Sequence, residues 1–122
     1  MLVEYRNVKQ IPAEGKRRWF NSEYFDLIVW FDNEADIKIG FQLCYDKKNY
    51  ERSLTWIENK GFNHMAIDSG DSHPLSNSSP ILITDGVLDN RSLYQRFLDE
   101  SANIPADITK FVLGKIDEYG KA

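Results

Sequence analysis

The chain has 122 residues, 42% of them hydrophobic, and a formal net charge of −4, which suits one folded domain with a real core. Its single cysteine, Cys44, makes no internal disulfide and points to a reducing, cytoplasmic setting. No apolar run approaches the roughly 20 residues that span a bilayer, the charged opening MLVEYRNVKQ is no signal peptide, and 15 basic against 19 acidic residues argue against general nucleic-acid binding.

In chain order, the first predicted elements are strands over Leu2–Ile11 and Arg17–Phe20, joined by the turn Pro12-Ala13-Glu14-Gly15. Four stronger strands follow, at Tyr24–Asp32, Ile37–Asp46, Tyr50–Ile57 and Phe62–Asp68, rich in aromatic and β-branched residues and bounded by polar turns. The stretch from Ser69 to Pro80, SGDSHPLSNSSP, has loop chemistry and separates a strand-rich front from a helix-rich back. A short strand is predicted at Ile81–Thr84. Asp89 or Asn90 can cap a first helix, with Leu93, Phe97 and Tyr94, Leu98 at i, i+4 spacing. Pro105 suits the first turn of a second helix, whose face is Ile108, Phe111, Val112, Ile116 and Tyr119, with Gly120 as its stop. Helices this short need a packing partner, and the sheet is the only large one. The whole chain, residues 1–122, therefore reads as one α+β domain: a curved antiparallel meander of about five to seven strands, with two C-terminal helices packed on one face.

Turn chemistry predicts the strand register. Glu58-Asn59-Lys60-Gly61-Phe62 fits a three-residue hairpin loop with Gly61 in the left-handed region, so that Trp56 faces His64, Leu54 faces Ala66 and Arg52 faces Asp68. Asp46-Lys47-Lys48-Asn49-Tyr50 fits the same turn with Asn49 left-handed, which places Cys44 opposite Arg52 and Gln42 opposite Leu54. For the hairpin through Asn33-Glu34-Ala35, matching the apolar faces pairs Asp26 with Gln42; a slip of two residues would pair it with Cys44.

That register gives one apolar face, carrying Phe25, Leu27, Val29, Phe31, Ile39, Phe41, Leu43, Ile57, Met65 and Ile67, to take the helices. The other face is mixed. It carries Ile28, Trp30, Gly40, Leu54, Trp56 and Ala66 with Asp26, Gln42, Cys44, Arg52, His64 and Asp68. An arginine held by a carboxylate among aromatic walls is equipped to bind an anionic small molecule, whereas an Arg52–Asp68 ion pair of purely structural role is the plainer account. The candidate ligand-binding set is Arg52, Asp68, His64, Gln42, Cys44, Asp26, Trp30 and Trp56.

Four further possibilities carry less weight. His64, Asp68, His73 and Asp71 match no familiar zinc spacing, so no metal is expected. Cys44 beside Arg52 would favour thiolate, but no recognisable oxyanion hole accompanies it. Lys16-Arg17-Arg18-Trp19-Phe20 could stack and neutralise a single strand of nucleic acid, though such a run is more often a charged edge strand. Sixteen aromatic residues exceed what two short helices cover, which makes a homodimer credible. No glycine-rich phosphate loop, HExxH, GxSxG or CxxC is present, and no cofactor is expected.

The segments Arg17-Arg18-Trp19-Phe20, Asp26-Leu27-Ile28-Val29-Trp30, Gly40-Phe41-Gln42-Leu43-Cys44-Tyr45-Asp46 and Pro80-Ile81-Leu82-Ile83 resemble those of a small group of uncharacterised bacterial proteins. The resemblance runs over most of the chain. It implies a bacterial source and carries no activity with it. Two functional expectations follow from the residues: a non-enzymatic module that binds a small molecule or a protein partner through the mixed face, or a small enzyme with His64 or Asp68 as general base and Arg52 orienting an anion.

Overall fold

The computed structural model describes residues 1–5, 16–32, 37–66, 81–82 and 89–121. Seven strands pair antiparallel in chain order: β1 (Val3–Glu4), β2 (Lys16–Asn21), β3 (Phe25–Phe31), β4 (Lys38–Tyr45), β5 (Arg52–Ile57), β6 (Gly61–Ala66) and β7 (Ile81–Leu82). Helices α1 (Asn90–Glu100) and α2 (Ala106–Gly120) follow. The architecture is the α+β meander that the residue pattern predicts. The Pro12–Gly15 turn and the Ser69–Pro80 loop lie outside the described residues.

The helices begin and pack as their sequences require. The Asp89 carboxylate accepts hydrogen bonds from the Ser92 amide and hydroxyl and so caps α1. Pro105 precedes the first turn of α2, where its missing N–H loses nothing. Leu93 and Phe97 of α1 and Ile108, Val112, Leu113 and Ile116 of α2 are buried against the sheet. Phe97 meets Phe25 edge-on, Phe111 meets both Phe41 and Trp56, and Tyr119 meets Phe62. Tyr94 and Leu98, predicted on the apolar stripe of α1, stay exposed. The Leu2 amide donates to the Glu100 carbonyl, which ties the N-terminus to the end of α1 and buries Leu2.

Strand β3 alternates buried and half-buried residues without a break, so Phe25, Leu27, Val29 and Phe31 point at the helices. Its register with β4 pairs Asp26 with Cys44 and Val29 with Phe41, the two-residue slip rather than the Asp26–Gln42 alignment. A two-residue shift preserves the faces. A bulge between Trp30 and Phe31 then absorbs one extra residue.

The β4–β5 register differs from the predicted one by a single residue. Tyr45 faces Arg52, Cys44 faces Ser53 and Leu43 faces Leu54. The connection is the six residues 46–51 instead of a three-residue loop, and Asp46, with φ 57°, takes the left-handed position predicted for Asn49. The Asn49 amide and side chain both donate to Asp46. An odd slip moves every side chain of β5 to the other face. Arg52, Leu54 and Trp56 therefore join the helix face, and Ser53, Thr55 and Ile57 leave it. The physical reason lies in β5 itself: this register buries Leu54 completely beneath the helices and sets Trp56 on Phe111, while Ser53 is buried on the other side of the sheet.

At the next hairpin Ile57 faces Gly61, Trp56 faces Phe62 and Leu54 faces His64, two residues from the predicted alignment. Both Asn59 (φ 69°) and Gly61 (φ 79°) are left-handed, and the Lys60 amide closes the turn on the Ile57 carbonyl. Being even, this slip carries the flipped face onward. His64 and Ala66 share the helix face with Arg52, while Met65 does not.

The register has a direct consequence for stability. Leu54→Ala is expected to destabilise the fold by about 2–4 kcal/mol through cavity formation, and Thr55→Ala by less than about 1 kcal/mol. Urea titration of both variants measures this difference.

Candidate functional site

Strand parity divides the predicted ligand-binding set. Arg52, His64 and Trp56 lie on the helix face; Asp26, Trp30, Gln42 and Cys44 lie on the opposite, open face. Asp68, Ile67, Asp71 and His73 fall outside the described residues. The predicted Arg52–Cys44 neighbourhood does not form, because the two side chains leave opposite sides of the sheet. Among the described residues no group of three or more metal-type ligands comes together.

On the open face the side chains form three rows across the strands. One row runs Asn21, Asp26, Cys44, Ser53 and Met65; the next Trp19, Ile28, Gln42, Thr55 and Asn63; the third Arg17, Trp30, Gly40, Ile57 and Gly61. Among the described residues the helices are the only elements outside the sheet, and they occupy its other side.

The first row is polar. The Asn21 amide donates to Asp26 at 2.6 Å, and Lys47 Nζ stands 3.3 Å from the same carboxylate oxygen. Burial, followed by the Glu51 and Asp26 carboxylates, pushes the Cys44 thiol up to about 12. This overturns the thiolate expected beside Arg52. Glu51 is itself raised, by burial and by Asp26. Cys44 is therefore not an activated nucleophile at neutral pH.

The third row is apolar and contains the cleft. Two of its positions are glycines, so no side chain stands between Trp30 and Ile57. Trp30, Ile39, Gly40, Ile57 and Lys60 line a hollow of about 400 Å³, within the range of small-molecule pockets. Gly40 is required by the backbone as well: a β-carbon there would lie 2.9 Å from the Trp56 carbonyl oxygen and 3.4 Å from Ile57 Cγ1. The residue pattern assigned Ile39 to the apolar face that takes the helices, whereas it lines this hollow; Lys60 was not singled out. Ile39 reaches the cleft because the β3–β4 bulge releases it from the pairing, and Lys60 because it closes the β5–β6 turn. The Trp30-opposite-Gly40 pair was the available signal, since a glycine facing a tryptophan leaves an indole wall with nothing beside it.

On the helix face the remaining candidates form a buried polar group. His64 is 4% exposed, and its Nε2 lies 2.6 Å from the Tyr45 hydroxyl. Its ring stacks with Tyr45 at 3° and tilts against Tyr119. Arg52 lies opposite Tyr45 on the neighbouring strand. Burial pushes the Tyr45 phenol up to about 12 against the lowering effect of Arg52. Burial and then Arg52 hold the His64 imidazole below its ordinary value. Trp56 is taken up by packing: Phe111 meets it edge-on and Lys115 Nζ sits 3.8 Å above its ring.

Alternation also splits the basic run of β2. Arg18 points to the helix side, where its guanidinium grips Glu4 with two hydrogen bonds of 2.7 and 2.6 Å and covers the Phe20 ring. Arg17 and Trp19 point to the other side, and Tyr5 meets Trp19 edge-on. Lys16 and Arg17 are both engaged in contacts of their own. Among the described residues the basic run is therefore divided between the two sides of β2. No helix among the described residues is long and apolar enough to cross a membrane.

No protein-family model matches the chain, and comparison with curated proteins and with solved structures likewise yields no match.

Two measurements check this site. Alkylation of Cys44 by iodoacetamide near neutral pH is expected to run at least about a hundredfold slower in the native protein than in urea, because the thiolate is scarce. Gly40→Ala is expected to destabilise the fold by about 1–3 kcal/mol through the clash with β5, read as a lower urea midpoint.

Proposed function

We infer that this chain is a non-enzymatic cytoplasmic module that binds a small anionic molecule with an apolar body. The observation that carries the reading is the cleft of about 400 Å³ between Trp30 and Ile57, floored by Gly40 and edged by Lys60. Indole and aliphatic walls supply apolar burial, and the Lys60 ammonium at the rim supplies orientation. Lys60 thereby takes the role that the residue pattern had given to Arg52. The other hollows favour this reading less. That between α1 and α2 is lined by long polar side chains, Arg91, Gln95, Asp117 and Lys121, with Tyr94 as its only aromatic wall. A general-base role for His64 is supported less well than binding, because its ring is sealed between Tyr45 and Tyr119 and its Nε2 is occupied.

The test is a thermal-shift screen of aromatic and aliphatic carboxylates at millimolar concentration. A compound present at about one hundred times its Kd adds about 2.7 kcal/mol to the stability of the folded state, a shift of several degrees. Trp30→Ala is expected to abolish the shift of any active compound. Lys60→Met is expected to abolish it for anions and to spare their neutral amides. If no compound shifts the wild-type protein, the small-molecule reading fails. Concentration-dependent sedimentation would then point to a second copy of the chain on the open face.

A further inference from the structure

The buried Tyr45–His64 pair leaves one ring nitrogen without a hydrogen-bond partner among the described residues. His64 Nε2 lies 2.6 Å from the Tyr45 hydroxyl. With the hydroxyl as donor, Nε2 accepts and the single imidazole proton of neutral His64 sits on Nδ1. Nδ1 is buried and has no hydrogen-bond partner among the described residues. Adding a second proton at Nε2 turns that nitrogen into a donor, and the Tyr45 hydroxyl proton loses its acceptor. A positive charge would also appear on a ring already facing a guanidinium, with no counter-charge among its described neighbours.

The neighbours of His64 can be named element by element. β4 contributes Tyr45, β5 contributes Arg52 and α2 contributes Tyr119; the two residues of β7, Ile81 and Leu82, carry no titratable group. Of these, Tyr119 is the one able to move away. It lies in the last turn of α2, next to the exposed Gly120 and Lys121, and it holds that turn to the sheet through Phe62 and His64. The start of that turn is held by Ile116, which is fully buried in the core, and by the Asn90 side chain, which donates to the Ile116 carbonyl at 2.6 Å.

We propose that His64 is a proton-sensitive latch: protonation of its buried ring releases the C-terminal turn of α2, with Tyr119, from the β5–β6 end of the sheet and admits water to the charge. The sign follows from the burial. The closed form holds His64 below its ordinary value of 6.5, so the open and unfolded forms bind the proton more tightly. The closed form is fully favoured above about 6.5 and loses ground as the pH falls below it. The device stands apart from the Trp30 cleft, which lies on the opposite face.

Amide hydrogen exchange by NMR, corrected for intrinsic rates, tests the latch between about pH 7.5 and pH 5. Protection over residues 116–120 is expected to fall severalfold more than over residues 93–98 as the pH drops. The His64 ring resonances are expected to titrate below 6.5. His64→Phe keeps a flat ring between the two tyrosines, and His64→Gln keeps a polar partner for Tyr45; in each the excess fall is expected to vanish. Arg52→Met leaves the histidine in place and provides a second handle, with a raised His64 midpoint and a smaller fall. Protection at residues 116–120 that tracks α1 at every pH overturns the proposal. So does an excess fall that persists in both His64 variants, or a wild-type midpoint at or above 6.5.

Discussion

The length of the β4–β5 connection decides which chemistry meets which face of this sheet. Six residues separate Tyr45 from Arg52, and one residue fewer would exchange the two sides of every strand that follows. With six, Leu54 is sealed beneath the helices and Trp56 lies under Phe111. Full burial of each apolar side chain contributes on the order of 1.5–3 kcal/mol, and no hydrogen bond in the loop offsets the loss of both. The core therefore selects the loop, and the loop conformation follows, with Asp46 left-handed and Asn49 folded back on it.

That choice brings polar groups into the core along with the apolar ones. Arg52 and His64 occupy the same alternation as Leu54 and cannot leave the helix face without it. His64 is accommodated because Tyr45 supplies a hydroxyl to its Nε2, and Arg52 because it lies at the end of β5, where it keeps partial contact with water. The opposite face keeps the residues that the core did not take. A polar corner at Asp26 and Cys44 and an apolar hollow at Trp30 and Ile57 stand two rows apart. The face is thus divided by chemistry as well as by distance, and only its glycine-bearing row is recessed enough to enclose a ligand.

Much of the architecture was legible in the residue pattern. Every strand and both helices were located, the Asp89 cap was readable from its side chain, and the α+β order followed from the position of the Ser69–Pro80 stretch. The candidate site was legible only in part. Trp30, Gln42, Asp26 and Cys44 were placed on one face together, as they are, whereas Arg52, Trp56 and His64 were carried to the wrong face by a turn rule. The Asp46–Tyr50 segment permits more than one loop, because Asp and Asn both tolerate a left-handed backbone. The stronger signal lay beside it: in Ser53-Leu54-Thr55-Trp56 the alternation alone assigns leucine and tryptophan to the interior. Lys60 escaped notice because a turn lysine has no periodic signature, and Ile39 was assigned to the apolar face because the bulge that releases it has none.

By itself, the order of residues determined the local elements of this protein: period-2 runs make strands, period-3.6 runs make helices, and caps and glycines end them. The tertiary structure decided the pairing of β4 with β5, and through it the fate of Arg52, Trp56 and His64. A loop's own energetics differ little between neighbouring lengths. Burial of Leu54 and Trp56 differs by several kcal/mol between the two registers, and that difference exists only once helices and sheet meet.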